Sequence, residues 1–126
     1  MQLPIKQAYS FAAVRELEDR LYGAAVVTPA KLMARAAQAA CAALLQRWPT
    51  AKQVLILCGS GNNAGDGYML VELLRQQSIQ VQVIALQPVE QMSGVAAEAA
   101  QQSIQNGVDI IDYNSDIVKK GFITLP

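Results

Sequence analysis

The segment Gln53-Val54-Leu55-Ile56-Leu57-Cys58, followed at once by Gly59-Ser60-Gly61-Asn62-Asn63-Ala64-Gly65-Asp66-Gly67, constrains this chain more than any other. A short, continuous apolar run bounded by Lys52 and Gly59 is the pattern of a strand buried on both faces, and such strands belong to parallel sheets. A helical pattern through Met69, Leu70, Leu73 and Leu74 comes next, then a second strand, Val81–Leu86. Strand, glycine turn, helix and strand together form a right-handed crossover unit.

The flanking segments extend that unit. Ser10 caps a first helix carrying Val14, Leu17 and Leu21 on one side and Arg15, Glu16, Glu18, Asp19 and Arg20 on the other, and Gly23 ends it. Thr28-Pro29 opens a second helix, with Met33, Ala36, Ala37, Ala40, Leu44 and Trp48 as its apolar stripe and Pro49 as its stop. Ser93 caps a helix from Gly94 to Gln105 with Val95, Ala99 and Ile104 inward, and Asn106-Gly107 turns into a third strand, Val108–Asp112. The order is α-α-β-α-β-α-β, a Rossmann-like three-layer α/β/α domain with a parallel sheet.

Composition removes whole classes of chemistry. The 126 residues hold 10 Lys+Arg against 10 Asp+Glu and no His. Ser-His-Asp and Cys-His nucleophiles, His-ligated zinc and His general bases are therefore excluded. Balanced charge, with no basic cluster longer than Lys119-Lys120, gives no footprint for nucleic acid or an anionic membrane. Cys41 and Cys58 lie in apolar runs without metal or redox spacing and read as small buried hydrophobes in a reducing, cytoplasmic setting. The N-terminal residues show no secretory signal, and the most apolar stretch, Ala36–Leu45, is too short to span a bilayer. At this length one domain, residues 1–126, is the expectation, burying roughly two-thirds of the surface of its unfolded chain.

The glycine-rich loop is the candidate site, because open α/β sheets bind ligands at the carboxyl ends of their strands. Its four Gly are expected to supply positive φ and close backbone approach, Asn62 and Asn63 tolerate left-handed conformations, and the following helix directs free N–H groups at an anion. Gly59-x-Gly61-x-x-Ala64 satisfies the dinucleotide spacing, but Leu86-Gln87-Pro88 stands where the ribose-binding acid should be. A phosphate-binding loop of the Lys-Ser/Thr type is excluded, since no such pair follows the glycines. A plain tight turn explains two or three of these residues, not two amides, a carboxylate and four Gly together.

Gly61-Asn62-Asn63-x-Gly65-Asp66-Gly67 after a Val-Leu-Ile-Leu-Cys-Gly strand resembles the GNNGGDG signature of the YjeF N-terminal domain family, the NAD(P)HX epimerases. Val14-Arg15-Glu16-Leu17-Glu18 and Leu32-Met33-Ala34-Arg35-Ala36-Ala37 resemble that family's first two helices, so the likeness covers most of residues 10–112. The resemblance implies an isomerase that interconverts the R and S epimers of hydrated NADH and NADPH, NADHX and NADPHX. It implies substrate contacts from Asn62, Asn63, Ala64, Gly65 and Asp66, and a potassium ion held by the Asn63 side-chain oxygen. The implied partners are a second copy of the chain and an ADP- or ATP-dependent dehydratase, in bacteria commonly fused to the epimerase. Asp66 is equally explained as a helix-start residue favoured by the dipole.

The chain also departs from the pattern. Ala34 replaces a Glu, Ala37 a Gly and Ala64 a Gly, and Ala64 must then avoid positive φ. No segment resembling D-A-L-F/L-G-T-G or D-I/V-P-S-G follows the third strand; the chain instead runs from Tyr113 through Asp116-Ile117-Val118-Lys119-Lys120-Gly121-Phe122 to Pro126. The expectation is the N-terminal portion of such a domain, a truncated piece or a short form stabilised by self-association, inactive by itself, with no catalytic acid or base assigned. Two other readings stay open: a non-catalytic dimerisation or binding module of the same fold, and a Rossmann-type dinucleotide-binding domain.

Overall fold

The computed structural model of the chain describes residues 8–113; the segment Asp116 to Pro126 lies outside them. The chain separates into two compact units, Met1–Leu32 and Met33–Pro126. Within the first, α1 (Phe11–Gly23) starts where Ser10 Oγ accepts the Ala13 N–H at 3.1 Å. Such a cap contributes about 1 kcal/mol. Gly23 is not the residue that stops it. Ala25 takes φ +55° while the Val26 and Ala25 N–H groups return to the Leu21 and Tyr22 carbonyls, a Schellman turn built without glycine. No residue of α1 is buried, and the expected inward positions Val14 and Leu17 are 43% and 57% exposed.

Helix α2 (Pro29–Arg47) begins as expected, with Thr28 Oγ1 accepting the Lys31 N–H. Its buried stripe is Met33, Ala37 and Cys41, continued by Leu44 and Leu45. The stripe expected through Ala36, Ala40 and Trp48 is corrected, since all three are exposed. Spacing by four keeps the buried residues on one line, and the run of small residues hid which line the core selects.

The second unit is built on a parallel sheet of β1 (Gln53–Cys58), β2 (Gln80–Ala85) and β3 (Ile110–Asp112), in that spatial order. The register sets Ile56 beside Val83 and Cys58 beside Ala85, and Ala85 beside Asp112. Helix α3 (Asn62–Gln76) links β1 to β2, and α4 (Gly94–Gln105) links β2 to β3 after a 3-10 turn at Val89–Gln91. The two helices pack against each other, and α3 packs on β1 and β2. Together with the sheet they form an open, Rossmann-like three-layer α/β architecture.

The core lies between sheet and helices: Ile56, Cys58 and Val83 meet Tyr68, Val71, Leu74, Ala99 and Ala100. β1 is therefore not buried on both faces. Its alternate residue Leu57 is 63% exposed, and among the described residues β1 pairs only with β2. In α4 the buried residues are Ala96, Ala99, Ala100 and Ser103, whereas Ile104 is 44% exposed and Val95 only partly covered. Small residues let α4 come close to α3, and close approach outweighed the larger side chains. Schellman turns close both helices, with Ser78 at φ +59° after α3 and Gly107 at φ +80° after α4.

Candidate functional site

The carboxyl ends of the strands converge on Cys58, Ala85 and Asp112. The Leu86 N–H donates to the Cys58 carbonyl and the Tyr113 N–H to the Ala85 carbonyl, both at 2.8 Å, which holds the three chain exits side by side. From Cys58 the chain passes through only three loop residues, Gly59, Ser60 and Gly61, before α3 begins at Asn62.

The glycine-rich segment is therefore mostly helix, which corrects the expectation of a turn reaching Gly67. Of its four glycines only Gly61 takes positive φ, +85° with ψ −165°. It caps α3 without a side chain: the Ala64 N–H turns back to the Gly61 carbonyl at 3.2 Å, and no side-chain oxygen among the described residues caps the helix start. Asn62 and Asn63 occupy its first turn in helical, not left-handed, conformation. Ala64 is buried, 2% exposed, and avoids positive φ as it must.

Gly65 and Gly67 serve packing. A Cβ at Gly65 would stand 2.5 Å from Met33 Cε and Sδ and 2.9 Å from Ala96 Cα, so α2 and α4 both press on this point of α3. One at Gly67 would stand 2.9 Å from Cys58 Sγ, where α3 crosses β1. This matches the part played by a third glycine in nucleotide-binding turns, close approach of helix and strand. Met33 and Ala96 were not expected at the site, because nothing local in the sequence joins three separate helices.

Of the five residues the resemblance implied, Asn62 and Asn63 stand at the open helix start, with the Asn63 side chain exposed. Ala64 and Gly65 are buried and can meet a ligand only through backbone groups. Asp66 lies one residue past the first turn, beyond the strongest reach of the dipole. It is partly buried, and desolvation raises its carboxyl above the usual carboxylate value. A group whose folded pKa is raised contributes its full stability below the unfolded pKa of about 3.9 and loses it as pH rises through the folded value. Asp66→Asn is therefore expected to raise the thermal midpoint at pH 7 and leave it nearly unchanged at pH 3. An equal change at both pH values would contradict a cost arising from the ionised carboxylate.

No acid stands at the end of β2. Leu86 is exposed, Gln87 Nε2 reaches the Gln91 carbonyl at 3.5 Å, and Pro88 starts the 3-10 turn. An open groove of about 530 Å³ lies at the opposite, amino end of the sheet, among Lys52, Arg75, Gln80, Gly107 and Asp109. Among the described residues no three His, Cys, Asp or Glu side chains gather as a metal site, and no helix is long and apolar enough to cross a membrane.

The unit is a parallel α/β domain whose first strand passes through a glycine turn into a helix start without a side-chain cap. Residues 29–123 match the model of the YjeF-related protein N-terminus, and the chain belongs to that family. It is 36% identical over 113 residues to the bifunctional NAD(P)H-hydrate repair enzyme Nnr of Coxiella burnetii, covering 90% of this chain and 23% of that enzyme. With the NAD(P)H-hydrate epimerase of Cereibacter sphaeroides it shares 39% over 72 residues, 57% of this chain and 33% of the epimerase. The crystal structure of yeast ynu0 superposes with a TM-score of 0.73 at 21% identity, over 84% of this chain and 47% of that one, a likeness of fold. The chain thus spans about a sixth to a third of the length of the curated relatives it matches.

Proposed function

We propose that this chain supplies the nucleotide-binding part of an NAD(P)H-hydrate epimerase, acting on the hydrated nicotinamide ring of NADHX and NADPHX. The observation that carries this reading is the open start of α3. With Gly61 as its N-cap, the first turn of α3 has no side-chain cap and can turn N–H groups toward an anion at the carboxyl end of β1, with Asn63 in that turn, in a family whose relatives bear that activity by name. In this reading the helix start holds the nucleotide phosphate, Asn62 and Asn63 contact it, Ala64 and Gly65 present backbone, and Asp66 closes the far side of the turn.

The remaining proposals follow from the same reading. The dehydratase that uses the repaired epimer is a fused or separate partner, as in the bifunctional relatives. The free thiols Cys41 and Cys58 fit a reducing compartment. The Asn63 amide offers potassium one neutral oxygen, but such an ion needs several, and the described residues establish only this one. That donor set does not make a closed site, so no step here runs through potassium. Residues 1–126 alone bind nucleotide without turning it over.

Thermal unfolding tests the reading. NADPHX at about 100 times its Kd is expected to stabilise the chain by about 2.7 kcal/mol, a shift of many degrees, while ATP at equal concentration leaves the midpoint in place. No shift with millimolar NADPHX would overturn it. One observation favours the module reading instead: Phe11, Val14 and Leu17 on α1 are exposed apolar side chains, as a dimerising surface would have. A monomer at high micromolar concentration in sedimentation would remove that alternative.

A further inference from the structure

Among the described residues Tyr68 is the largest fully buried side chain, 1% exposed, and its hydroxyl has no hydrogen-bond partner among them. A buried tyrosine normally finds one, and leaving it without costs free energy that a phenylalanine would avoid. Its polar surroundings are the Cys58 thiol and the Asp112 carboxylate. These are the last residues of β1 and β3, so the hydroxyl sits under the strand ends where the glycine turn begins.

Neither neighbour stands in hydrogen-bond geometry to the hydroxyl. Sulfur accepts weakly, and the contact with Cys58 does not reach hydrogen-bond geometry. Burial pushes the Cys58 thiol up to about 11, so it stays protonated and inert. Burial, reinforced by the neighbouring Cys58 and by the Asp112 charge, pushes the Tyr68 hydroxyl up to about 12, so it remains a donor throughout the physiological range. The Tyr68 backbone is fixed as well, its carbonyl accepting from the buried Ser103 hydroxyl at 3.4 Å. A donor is thus held at the carboxyl end of the sheet with nothing among the described residues to donate to, and unsatisfied groups of this kind mark functional sites.

We infer that the Tyr68 hydroxyl is a ligand-binding group of this site, donating to an acceptor oxygen of the bound nicotinamide nucleotide as it settles over the glycine turn. The inference rests on the nucleotide reading given above. It deepens that reading by adding a residue outside the glycine-rich segment and on the inner side of α3.

Tyr68→Phe keeps the ring and removes only the hydroxyl, so stability and affinity should move in opposite directions. The midpoint without ligand is expected to stay or rise by a few degrees, while the Kd for NADPHX, measured by calorimetric titration of both chains, weakens about tenfold. Unchanged affinity in Tyr68→Phe, with NADPHX binding intact in the parent chain, overturns this inference and spares the nucleotide reading; a hydroxyl satisfied only by a buried water gives that result. A lowered midpoint with equal affinity shows a purely structural hydroxyl and overturns it too. Failure of the parent chain to bind NADPHX overturns both.

Discussion

Gly65→Ala is expected to lower the thermal midpoint by roughly 10 °C, about 2 kcal/mol, although alanine is the better helix former by about 1 kcal/mol. The reason is the added methyl group. It would stand 2.5 Å from Met33 Cε and Sδ and 2.9 Å from Ala96 Cα. The thioether end can move aside, but the Ala96 backbone moves only if α4 shifts away from α3, and overpacking of this kind costs about 1–3 kcal/mol. The other glycines set the scale. Gly67→Ala meets the Cys58 sulfur at 2.9 Å and should lose less, while Gly59→Ala meets nothing within 4 Å and should be neutral. Differential scanning calorimetry of the three variants checks that order; equal losses would contradict the assignment of Gly65 to helix packing.

The second large effect is catalytic. Residues 1–126, given one purified epimer of NADPHX, are expected to convert it no faster than it epimerises spontaneously. The helix start can hold an anion, but Asp66 is the one carboxylate between Cys58 and Tyr68, and no other titratable side chain lies between them. Positioned acid–base groups contribute about 10²–10⁴-fold, and the chain covers 47% of the yeast chain whose fold it shares. Chromatographic separation of the epimers over time measures the rate. Conversion well above the spontaneous rate would show that the catalytic groups lie within these residues.

Local chemistry made much of the fold legible. β1 runs from Gln53 to Cys58 and α4 from Gly94 to Gln105, as pattern and flanking residues indicate, because both are bounded by residues that cannot continue them. The start of α3 was illegible for the opposite reason. Asn62 through Gly67 are mostly poor helix formers, yet they are helical because Ala64, Gly65 and Gly67 bury against α2, α4 and β1. Propensity could not reveal that, since the partners Met33, Cys58 and Ala96 come from three other elements. Gly23 and Ala25 teach the same lesson at a helix end: hydrogen bonding to Leu21 and Tyr22 places the left-handed residue on alanine.

The candidate site was legible as a location but not as a set of roles. The strand-glycine-helix order points to the carboxyl end of β1. Tyr68 looked like any packing aromatic at helical spacing. Only its burial and its unpartnered hydroxyl, seen together with Cys58 and Asp112, set it apart.

The most direct test is an amide chemical-shift titration of the isotopically labelled chain with NADPHX. Binding at the open start of α3 predicts saturable shifts concentrated at Gly61, Asn62, Asn63, Ala64, Gly65 and Asp66, with little change around Lys52, Arg75 and Asp109 at the other end of the sheet. No saturable shift in the glycine-rich segment at millimolar NADPHX, or shifts confined to the Lys52 end, would contradict it.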